Sequence, residues 1–135
     1  MSGRKSKYKS KKVEVDGIKF DSKLESQYYK LLQEKVQNGE IARFTLQPRY
    51  LLQDAFKKNG KQYRKVEYVA DFEVIHLDGT IEVVDVKGYE TKDFAIKRKW
   101  FERLYDHKLT VITFKKKYGG WIELDKYKRL RRKKK

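Results

Sequence analysis

The sequence contains no cysteine, one proline and only two histidines, and each scarcity excludes a class of protein. Without cysteine there is no disulfide framework, no Cys-x-x-Cys redox site and no cysteine-based zinc finger. The two histidines, His76 and His107, are too few and too scattered for a histidine-rich metal site. No apolar run approaches the roughly 20 residues that span a bilayer, and no apolar segment follows the N-terminal Met-Ser-Gly-Arg-Lys. We therefore expect a cytoplasmic protein with no membrane partner.

Acidic residues are absent from both ends of the chain, which carries 35 basic and 19 acidic residues over 135 positions. Residues 1–12 contain six basic residues, residues 126–135 contain eight, and residues 13–125 contain 21 basic and 19 acidic residues. This distribution predicts one nearly neutral domain over residues 13–125, with a flexible basic arm before it and a basic tail after it. Nucleic acid is the expected partner, because phosphates release counterions when lysine and arginine bind them. A solubilising role for the two basic segments is the alternative.

The hydrophobic periodicity predicts a hairpin, two helices and a series of strands. Apolar alternation around Asp16-Gly17 predicts a β-hairpin over residues 12–20. Helical spacing predicts helices over residues 22–37 and 91–105. Alternating or β-branched stretches predict strands at 41–53, 62–77, 80–87, 109–114 and 121–124. This order predicts the fold class α/β or α+β, with helices packed on a sheet.

Two neighbouring predicted strands carry acidic residues among apolar ones. Asp85 and Lys87 point to the same face of their strand, and a tight turn at Asp78-Gly79 brings Asp71 of the preceding strand within reach. Two close carboxylates repel each other unless a cation joins them, and oxygen ligands suit Mg²⁺. A neighbouring lysine can position an attacking water and stabilise developing negative charge, as phosphodiester hydrolysis requires. The alternative is an ordinary Asp–Lys ion pair, although such a pair is expensive to bury among valines.

Glu25 lies near the start of the first predicted helix, at the edge of its apolar stripe. In that position it is a candidate third acid for the same site. However, Ser22-Lys23-Leu24-Glu25 also has the S-x-x-E pattern of a capping box. The sequence therefore leaves a structural and a functional role for Glu25 equally open.

The order Glu25, Asp71 and Asp85-Val86-Lys87, on helix, strand and strand, resembles the PD-(D/E)XK nuclease superfamily. The resemblance covers roughly residues 18–114 and is closest to a phage-encoded, endonuclease-like family of formerly unknown function. That family is similar to phage junction-resolving endonucleases and to very-short-patch repair nucleases. Ala70 stands where the superfamily name has proline, and Asp85 replaces the commoner glutamate. The other segments that carry the resemblance are residues 16–25, Gln47-Pro48, residues 68–72, Gly88 and Lys97-Arg98-Lys99.

The resemblance implies a restriction-endonuclease-like core of order αβββαβ, with a mixed central sheet flanked by helices. It also implies a Mg²⁺-dependent DNA endonuclease, with Mn²⁺ as a substitute and no small-molecule cofactor. The implied metal ligands are Asp71, Asp85 and the Val86 carbonyl, with Glu25 assisting through water and Lys87 serving the nucleophile. Gln47 and Lys97 are supporting candidates: Gln47 can instead fill a sheet face, and Lys97 can be a surface lysine covering the core.

Branched or structured DNA, in phage recombination or replication in the host cytoplasm, is the substrate that the resemblance suggests. A symmetric homodimer is a further expectation, since cutting two strands of a junction needs two sites. The residues expected to contact DNA are Arg4, Lys5, Lys7, Lys9, Lys11, Lys12, Lys126, Lys128, Arg129, Arg131, Arg132, Lys133, Lys134 and Lys135. The main alternative is a non-catalytic nucleic-acid-binding module with basic tails. A protein-interaction or packaging factor is a second alternative, and it leaves the acids in apolar strands unexplained.

Overall fold

A computed structural model describes residues 12–133, which form an α+β architecture of three α-helices and eleven strands. The helices are α1 (Lys23–Gln37), α2 (Lys92–Leu104) and α3 (Leu124–Lys133). The strands are β1 (Val13–Val15), β2 (Ile18–Phe20), β3 (Ile41–Leu46), β4 (Arg49–Gln53), β5 (Phe56–Lys58), β6 (Lys61–Tyr63), β7 (Val66–Val69), β8 (Phe72–His76), β9 (Ile81–Val86), β10 (Lys108–Lys115) and β11 (Gly120–Glu123). The predicted fold class is confirmed.

A mixed five-stranded sheet forms the centre of the fold, with strand order β11-β10-β9-β8-β3. Strand β9 pairs antiparallel with β8 and parallel with β10, and α2 lies in the connection between β9 and β10. If only the strands of the central sheet are counted, the order α1-β3-β8-β9-α2-β10 has the expected αβββαβ pattern, with β4 to β7 inserted between β3 and β8 as two separate two-stranded sheets. Because both faces of the sheet are covered, Val83, Val84 and Val86 of the central strand are all buried.

The two faces of the sheet build two separate hydrophobic cores. On one face, Tyr28, Tyr29 and Leu32 of α1 pack against strand residues that include Phe72 and Val84. On the other face, Phe94 and Phe101 of α2 pack with Val83, with Leu124 of α3 and with Tyr68 of β7. Side chains alternate along β9, so neighbouring residues of this strand enter opposite cores.

The strands predicted over residues 41–53 and 62–77 are both interrupted, and those two predictions of unbroken strands are wrong. Gln47 adopts a left-handed φ of 51°, and Pro48 has no N–H to donate, so the first strand bends between Leu46 and Arg49. The antiparallel ladder crosses the bend through two hydrogen bonds. The N–H of Gln47 donates to the carbonyl of Asp71 at 3.0 Å, and that of Ala70 donates to Pro48 at 3.1 Å. Asp71 therefore lies where the chain bends away from the central sheet.

The C-terminal end of the chain also differs from the charge-based prediction of a basic tail. Residues 126–133 belong to helix α3, whose first residue, Leu124, is 1% exposed. Lysine, arginine and leucine are good helix formers, and Leu124 and Tyr127 supply the contacts that hold the helix on the core. Of the predicted basic arm, only Lys12 falls within the described residues. None of the helices in residues 12–133 is long and apolar enough to cross a membrane.

Candidate active site

Carboxyl groups from three different elements meet at the C-terminal end of β9. Asp85 lies within β9 and is 1% exposed, and Glu25 lies in the first turn of α1 and is 6% exposed. Asp71 lies partly buried at the bend between β7 and β8. The structure thus places together the three acids that the sequence analysis selected.

Burial and mutual repulsion oppose ionisation of this cluster. Burial, followed by the charges of Asp21 and Asp85, raises the pKa of Glu25 to about 7. Burial, followed by the charges of Asp85 and Glu25, raises the pKa of Asp71 far above its usual range. The carboxyl groups of Asp71 and Asp85 are close enough for a side-chain hydrogen bond between them to contribute to that rise. Carboxyl groups with such raised pKa values are typical of functional sites.

Each aspartate is held in place by a defined donor. Asp71 Oδ2 accepts a hydrogen bond from the backbone N–H of Val86 at 2.8 Å. Asp85 Oδ2 accepts one from the hydroxyl of Tyr68, a buried residue of β7. Burial and the charge of Asp85 raise the pKa of the Tyr68 phenol strongly, so this hydroxyl keeps its proton and acts as the donor. These bonds fix the direction in which both carboxyl groups point.

Lys87 follows β9 directly and completes the arrangement. Its backbone N–H donates to the carbonyl of Ile112 at 2.9 Å, which continues the parallel ladder beyond Val86. Its Nζ lies 3.5 Å from Asp85 Oδ1 and 4.8 Å from the centroid of the Phe94 ring. The contact with Asp85 confirms the prediction that the two side chains share a face. The side chain of Lys87 is about one-third exposed, so the ammonium is close to solvent.

Glu25 combines the two roles that the sequence left open. Ser22 caps α1, and its Oγ accepts a hydrogen bond from the backbone N–H of Glu25 at 3.1 Å. That capping bond uses the backbone of Glu25 and leaves its carboxyl group for other contacts. The buried carboxyl group interacts with the charges of Asp85 and Lys87. The cap and the acidic cluster are therefore compatible.

An open cavity of about 550 Å³ borders this cluster. Its lining includes Glu25, Asp71, Val86 and Lys87, together with Lys12 from the N-terminal segment. A smaller cavity of about 90 Å³ lies on the other side of Glu25 and Asp71 and includes Gln47. Glu25 and Asp71 thus border open space despite their burial, whereas Asp85 lies behind them.

The donor set fits a hard divalent cation only in part. In residues 12–133 no group of three or more His, Cys, Asp or Glu side chains is arranged to hold a metal ion. Mg²⁺, however, takes one or two carboxylates, with waters and phosphate oxygens as its remaining ligands. Asp71 lines the cavity, Asp85 is buried directly behind it, and the Val86 carbonyl belongs to the same strand end. Glu25 fits a role through water better than a role as a third direct ligand.

The two supporting candidates differ in where they lie. Gln47 lines the smaller cavity beside Asp71, and its backbone N–H bonds the Asp71 carbonyl, so it belongs to the edge of the site. Lys97 lies half-buried on α2, and other residues line the cavity beside the carboxyl groups. This position fits the alternative reading of Lys97 as a lysine that covers the core.

The predicted DNA-binding cations of α3 divide into two groups. Lys126, Arg129 and Arg132 are exposed. Lys128 instead pairs with Glu90 at 3.1 Å, and the Arg131 guanidinium lies 5.3 Å from the centroid of the Tyr127 ring. The cations at positions 4, 5, 7, 9, 11, 134 and 135, and the side chain of Lys133, lie outside the described residues.

Two contributors to the site, Tyr68 and Arg98, were not selected as site residues from the sequence. Tyr68 reaches Asp85 although β7 and β9 do not pair, so strand spacing could not reveal the contact. Arg98 of α2 bonds both Glu90 at 3.2 Å and Asp125 at 2.7 Å, and thereby holds α3 against the loop that follows Lys87. These bonds to Arg98 lower the pKa of Asp125. Both contacts depend on packing between elements distant in sequence.

A larger cavity, about 680 Å³, lies at the opposite end of β9 and has simpler chemistry. Its one acid from β9, Glu82, is bonded by His76 at 2.8 Å and by the hydroxyl of Thr110. A carboxylate with these partners needs no further cation. The volume of a cavity therefore does not identify the candidate functional site. The crowded carboxyl groups at the other end of β9 identify it.

The fold and the site together describe an α+β protein with an acidic cluster and a lysine at the end of its central strand. The chain matches, over residues 5–120, the family described as "Protein of unknown function (DUF1064)", and it belongs to this family. A search among curated proteins found no match.

Proposed function

We propose that the protein is a metal-dependent DNA endonuclease of the PD-(D/E)XK type, with a restriction-endonuclease-like core. The observation that carries this proposal is the convergence of Asp71, Asp85 and Lys87 at the end of β9, with Glu25 beside them. Carboxyl groups that repel each other, next to an ammonium group and an open cavity, are suited to hydrolysis of a phosphodiester. The αβββαβ order is consistent with this assignment.

Each residue of the cluster has a role in this proposal. Asp71, held by the Val86 N–H, offers an oxygen ligand that lines the cavity, and Asp85, held by the Tyr68 hydroxyl, offers a second one behind it. Mg²⁺, when bound there, supplies positive charge to neutralise the carboxylates and polarise the scissile phosphate. Lys87 orients the attacking water and stabilises negative charge as it develops on the phosphate oxygens. Glu25 accepts a hydrogen bond from a water of the site.

The basic segments supply affinity for the DNA backbone. Lys12 borders the cavity, and Lys126, Arg129 and Arg132 project from α3. Helix α3 is tied to the loop after Lys87 through the Glu90–Lys128 ion pair. These cations are therefore held on the same body as the carboxyl cluster. Phosphates beyond the scissile one are their natural ligands.

A cleavage assay with matched variants tests the proposal. The purified protein is incubated with linear, single-stranded, nicked and four-way DNA, each with Mg²⁺ and with EDTA. We expect cleavage only with Mg²⁺, and at least a 100-fold loss for Asp85→Asn and for Lys87→Ala. The control is Glu82→Gln, which changes an acid three residues earlier on the same strand and should cleave within about threefold of the wild type.

Three results would count against the proposal in different ways. Undiminished cleavage by Asp85→Asn would show that the activity comes from elsewhere. Cleavage that persists in EDTA would remove the metal from the mechanism. DNA binding without cleavage under any condition would favour the alternative of a non-catalytic nucleic-acid-binding module. The comparison of four DNA forms also tests the expectation of a branched substrate.

A further inference from the structure

We propose that the hairpin of residues 56–65, named here the basic ribbon, is a DNA-binding element that lies in the major groove of duplex flanking the cleavage site. The choice of DNA as the ligand rests on the proposed function. It concerns a part of the chain that lies outside both terminal basic segments. The basic ribbon comprises β5, β6, their connecting turn and the two residues that follow β6.

The basic ribbon concentrates positive charge within a domain that is nearly neutral as a whole. Residues 56–65 contain five basic residues and no acidic one. The basic residues are Lys57, Lys58, Lys61, Arg64 and Lys65. Lys65 differs from the other four because Glu67 partly neutralises its charge: its Nζ lies 3.5 Å from Glu67 Oε2. Such a local excess of one charge is the electrostatic feature that a polyanion recognises.

The basic ribbon contributes nothing to either hydrophobic core, yet it is built to stay ordered. Every residue from 53 to 65 is exposed. Asn59 and Gly60 both have positive φ, 53° and 77°, as a two-residue hairpin turn requires. The rings of Phe56 and Tyr63, which are cross-strand partners, stack with centroids 4.8 Å apart and planes 11° apart. An isolated two-stranded hairpin is only marginally stable in water, so this aromatic pair preorganises a structure whose residues are all exposed.

Lysines lie on both faces of the ribbon, and this distribution suits a groove. Lys58 and Lys61 are cross-strand partners on the face that carries the aromatic pair, and Lys57 lies on the opposite face. A ribbon lying in a groove has phosphates along both walls, so cations on both faces find ligands. The major groove of B-DNA, about 12 Å wide, admits a two-stranded ribbon. The major groove of A-form RNA is too narrow for protein side chains to read.

The ribbon is joined to the acidic cluster through the β4–β7 ladder, which packs along α2 as far as Tyr105, whose hydroxyl donates to the Leu51 carbonyl at 2.7 Å. The ladder that leads to it leaves the sheet at Asp71 and Gln47 and continues as β4 paired with β7. Ten residues separate Asp71 from Lys61, which at about 3.3 Å each gives the turn a reach of at most about 33 Å. One turn of B-DNA is about 34 Å long. The tip can therefore contact duplex up to about one helical turn from the scissile phosphate.

The test measures DNA binding in EDTA, where no cleavage is expected, as a function of salt. The main variant is Lys57→Ala/Lys58→Ala, and its matched control is Lys30→Ala/Lys108→Ala, which removes two exposed cations from α1 and β10. Each lost phosphate contact makes the negative slope of log K against log salt shallower by about 0.9. We expect the main variant to lose up to about 1.8 units of slope on a 24-base-pair duplex and the control to keep the wild-type slope.

A second variant removes the ribbon while keeping its base. Gln53 and Val66 are cross-strand partners, so residues 54–65 can be replaced by Asn-Gly, which closes β4 and β7 with a two-residue turn. The melting temperature of this variant should stay close to that of the wild type because the removed residues are exposed. Wild-type affinity should rise as the duplex is lengthened from 10 to 24 base pairs, and the shortened variant should lose most of that gain.

The outcomes distinguish this inference from the proposed function. Equal salt slopes for the main variant, the control and the wild type would overturn the ribbon's role, even in a protein that cleaves DNA. A larger loss on duplex RNA than on duplex DNA would assign the ribbon to RNA and overturn the inference. A wild type that binds DNA through the ribbon but never cleaves it would overturn only the endonuclease proposal. A wild type that binds no duplex would overturn both.

Discussion

The two ends of β9 carry similar residues in opposite electrostatic situations. At one end Glu82 accepts a hydrogen bond from the Thr110 hydroxyl and pairs with His76 at 2.8 Å. At the other end Asp85 accepts one from the Tyr68 hydroxyl and has Lys87 at 3.5 Å. The surroundings make the difference, because two further carboxyl groups lie close to Asp85. The carboxylate of Glu82 has His76 and Thr110 as partners, and the other acid that lines its cavity, Asp106, is exposed.

This contrast separates a structural ion pair from a site arranged for a ligand. At the Glu82 end the carboxylate has His76 and Thr110 as partners, so the arrangement contributes to folding by itself. At the Asp85 end Glu25, Asp71 and Asp85 crowd together beside Lys87, while Asp21 and Lys12 line the adjoining cavity, and burial raises the pKa of Glu25 to about 7. A protein that keeps such a cluster loses stability there, which is the usual cost of a functional site. Three experiments extend the comparison, beginning with the largest effect.

Glu25 is expected to contribute strongly to the pH dependence of stability, alongside Asp71, whose pKa is raised further. Its pKa is about 7 in the folded chain and about 4.5 in the unfolded one, so the folded state holds this proton to higher pH. Stability that is present below about pH 4.5 is therefore lost as the pH rises through about 7. For a shift of this size the free energy of unfolding falls by about 3 kcal/mol across that window.

Urea unfolding in EDTA between pH 4.5 and 8 measures this effect. The side chain at position 25 of the variant Glu25→Gln cannot titrate, so this variant should not share the fall in free energy of unfolding that Glu25 causes in the wild type. The difference between the two proteins should therefore change by about 3 kcal/mol over the same window. Parallel pH curves for the variant and the wild type would mean that Glu25 is not held near the other carboxyl groups.

Removing one carboxylate from each end of β9 should change stability in opposite directions. Asp71→Asn keeps an oxygen that accepts the Val86 N–H. It removes a carboxyl group whose pKa is raised by burial and by its neighbours. At pH 8 in EDTA this variant should be more stable than the wild type by about 2 kcal/mol. Glu82→Gln weakens the contacts with His76 and Thr110 and should be less stable by about 1 kcal/mol.

Thermal and urea unfolding of the two variants side by side check this difference in sign. If both variants lose stability, the acidic cluster contributes to folding in the same way as the Glu82 end, and the contrast between the two ends fails.

The hydroxyl donors at the two ends give the smallest expected effects. Tyr68→Phe removes the group that directs Asp85 but leaves the ring in its core, and cleavage should fall by about 10-fold to 100-fold through kcat, with DNA affinity retained. Thr110→Val removes the donor to Glu82 and should cost about 1 kcal/mol of stability without altering cleavage. Single-turnover kinetics and DNA titrations separate these effects. Equal cleavage by both variants would remove Tyr68 from the site.

Local patterns predicted most elements, and the predictions that failed are those that contacts between distant parts of the chain decide. The Asp16-Gly17 hairpin and the two long helices follow from turn residues, caps and periodicity, and the structure has them close to the predicted bounds. The two long strands were predicted as continuous because alternation persists through Gln47-Pro48. The bend comes from the φ of 51° at Gln47 and from cross-strand bonds to Asp71 and Ala70. Residues 126–133 were predicted as a tail because charge density was the dominant local signal, whereas Leu124 and Tyr127 hold them as a helix.

The sequence by itself determined the fold class, the identity of Glu25, Asp71, Asp85 and Lys87 as candidates, and the shared face of Asp85 and Lys87. Residue type and strand alternation are local properties, so one chain segment is enough to reveal them. Only the tertiary structure decided that Glu25 from a helix joins the two aspartates and that Tyr68 directs Asp85. It also decided which cations pair with an acid, since Lys128 pairs with Glu90 and Lys65 with Glu67, while Lys57 and Lys58 of the basic ribbon are exposed. These contacts join residues on separate elements, and only the packing of α1, β7 and α3 around the central sheet brings them together.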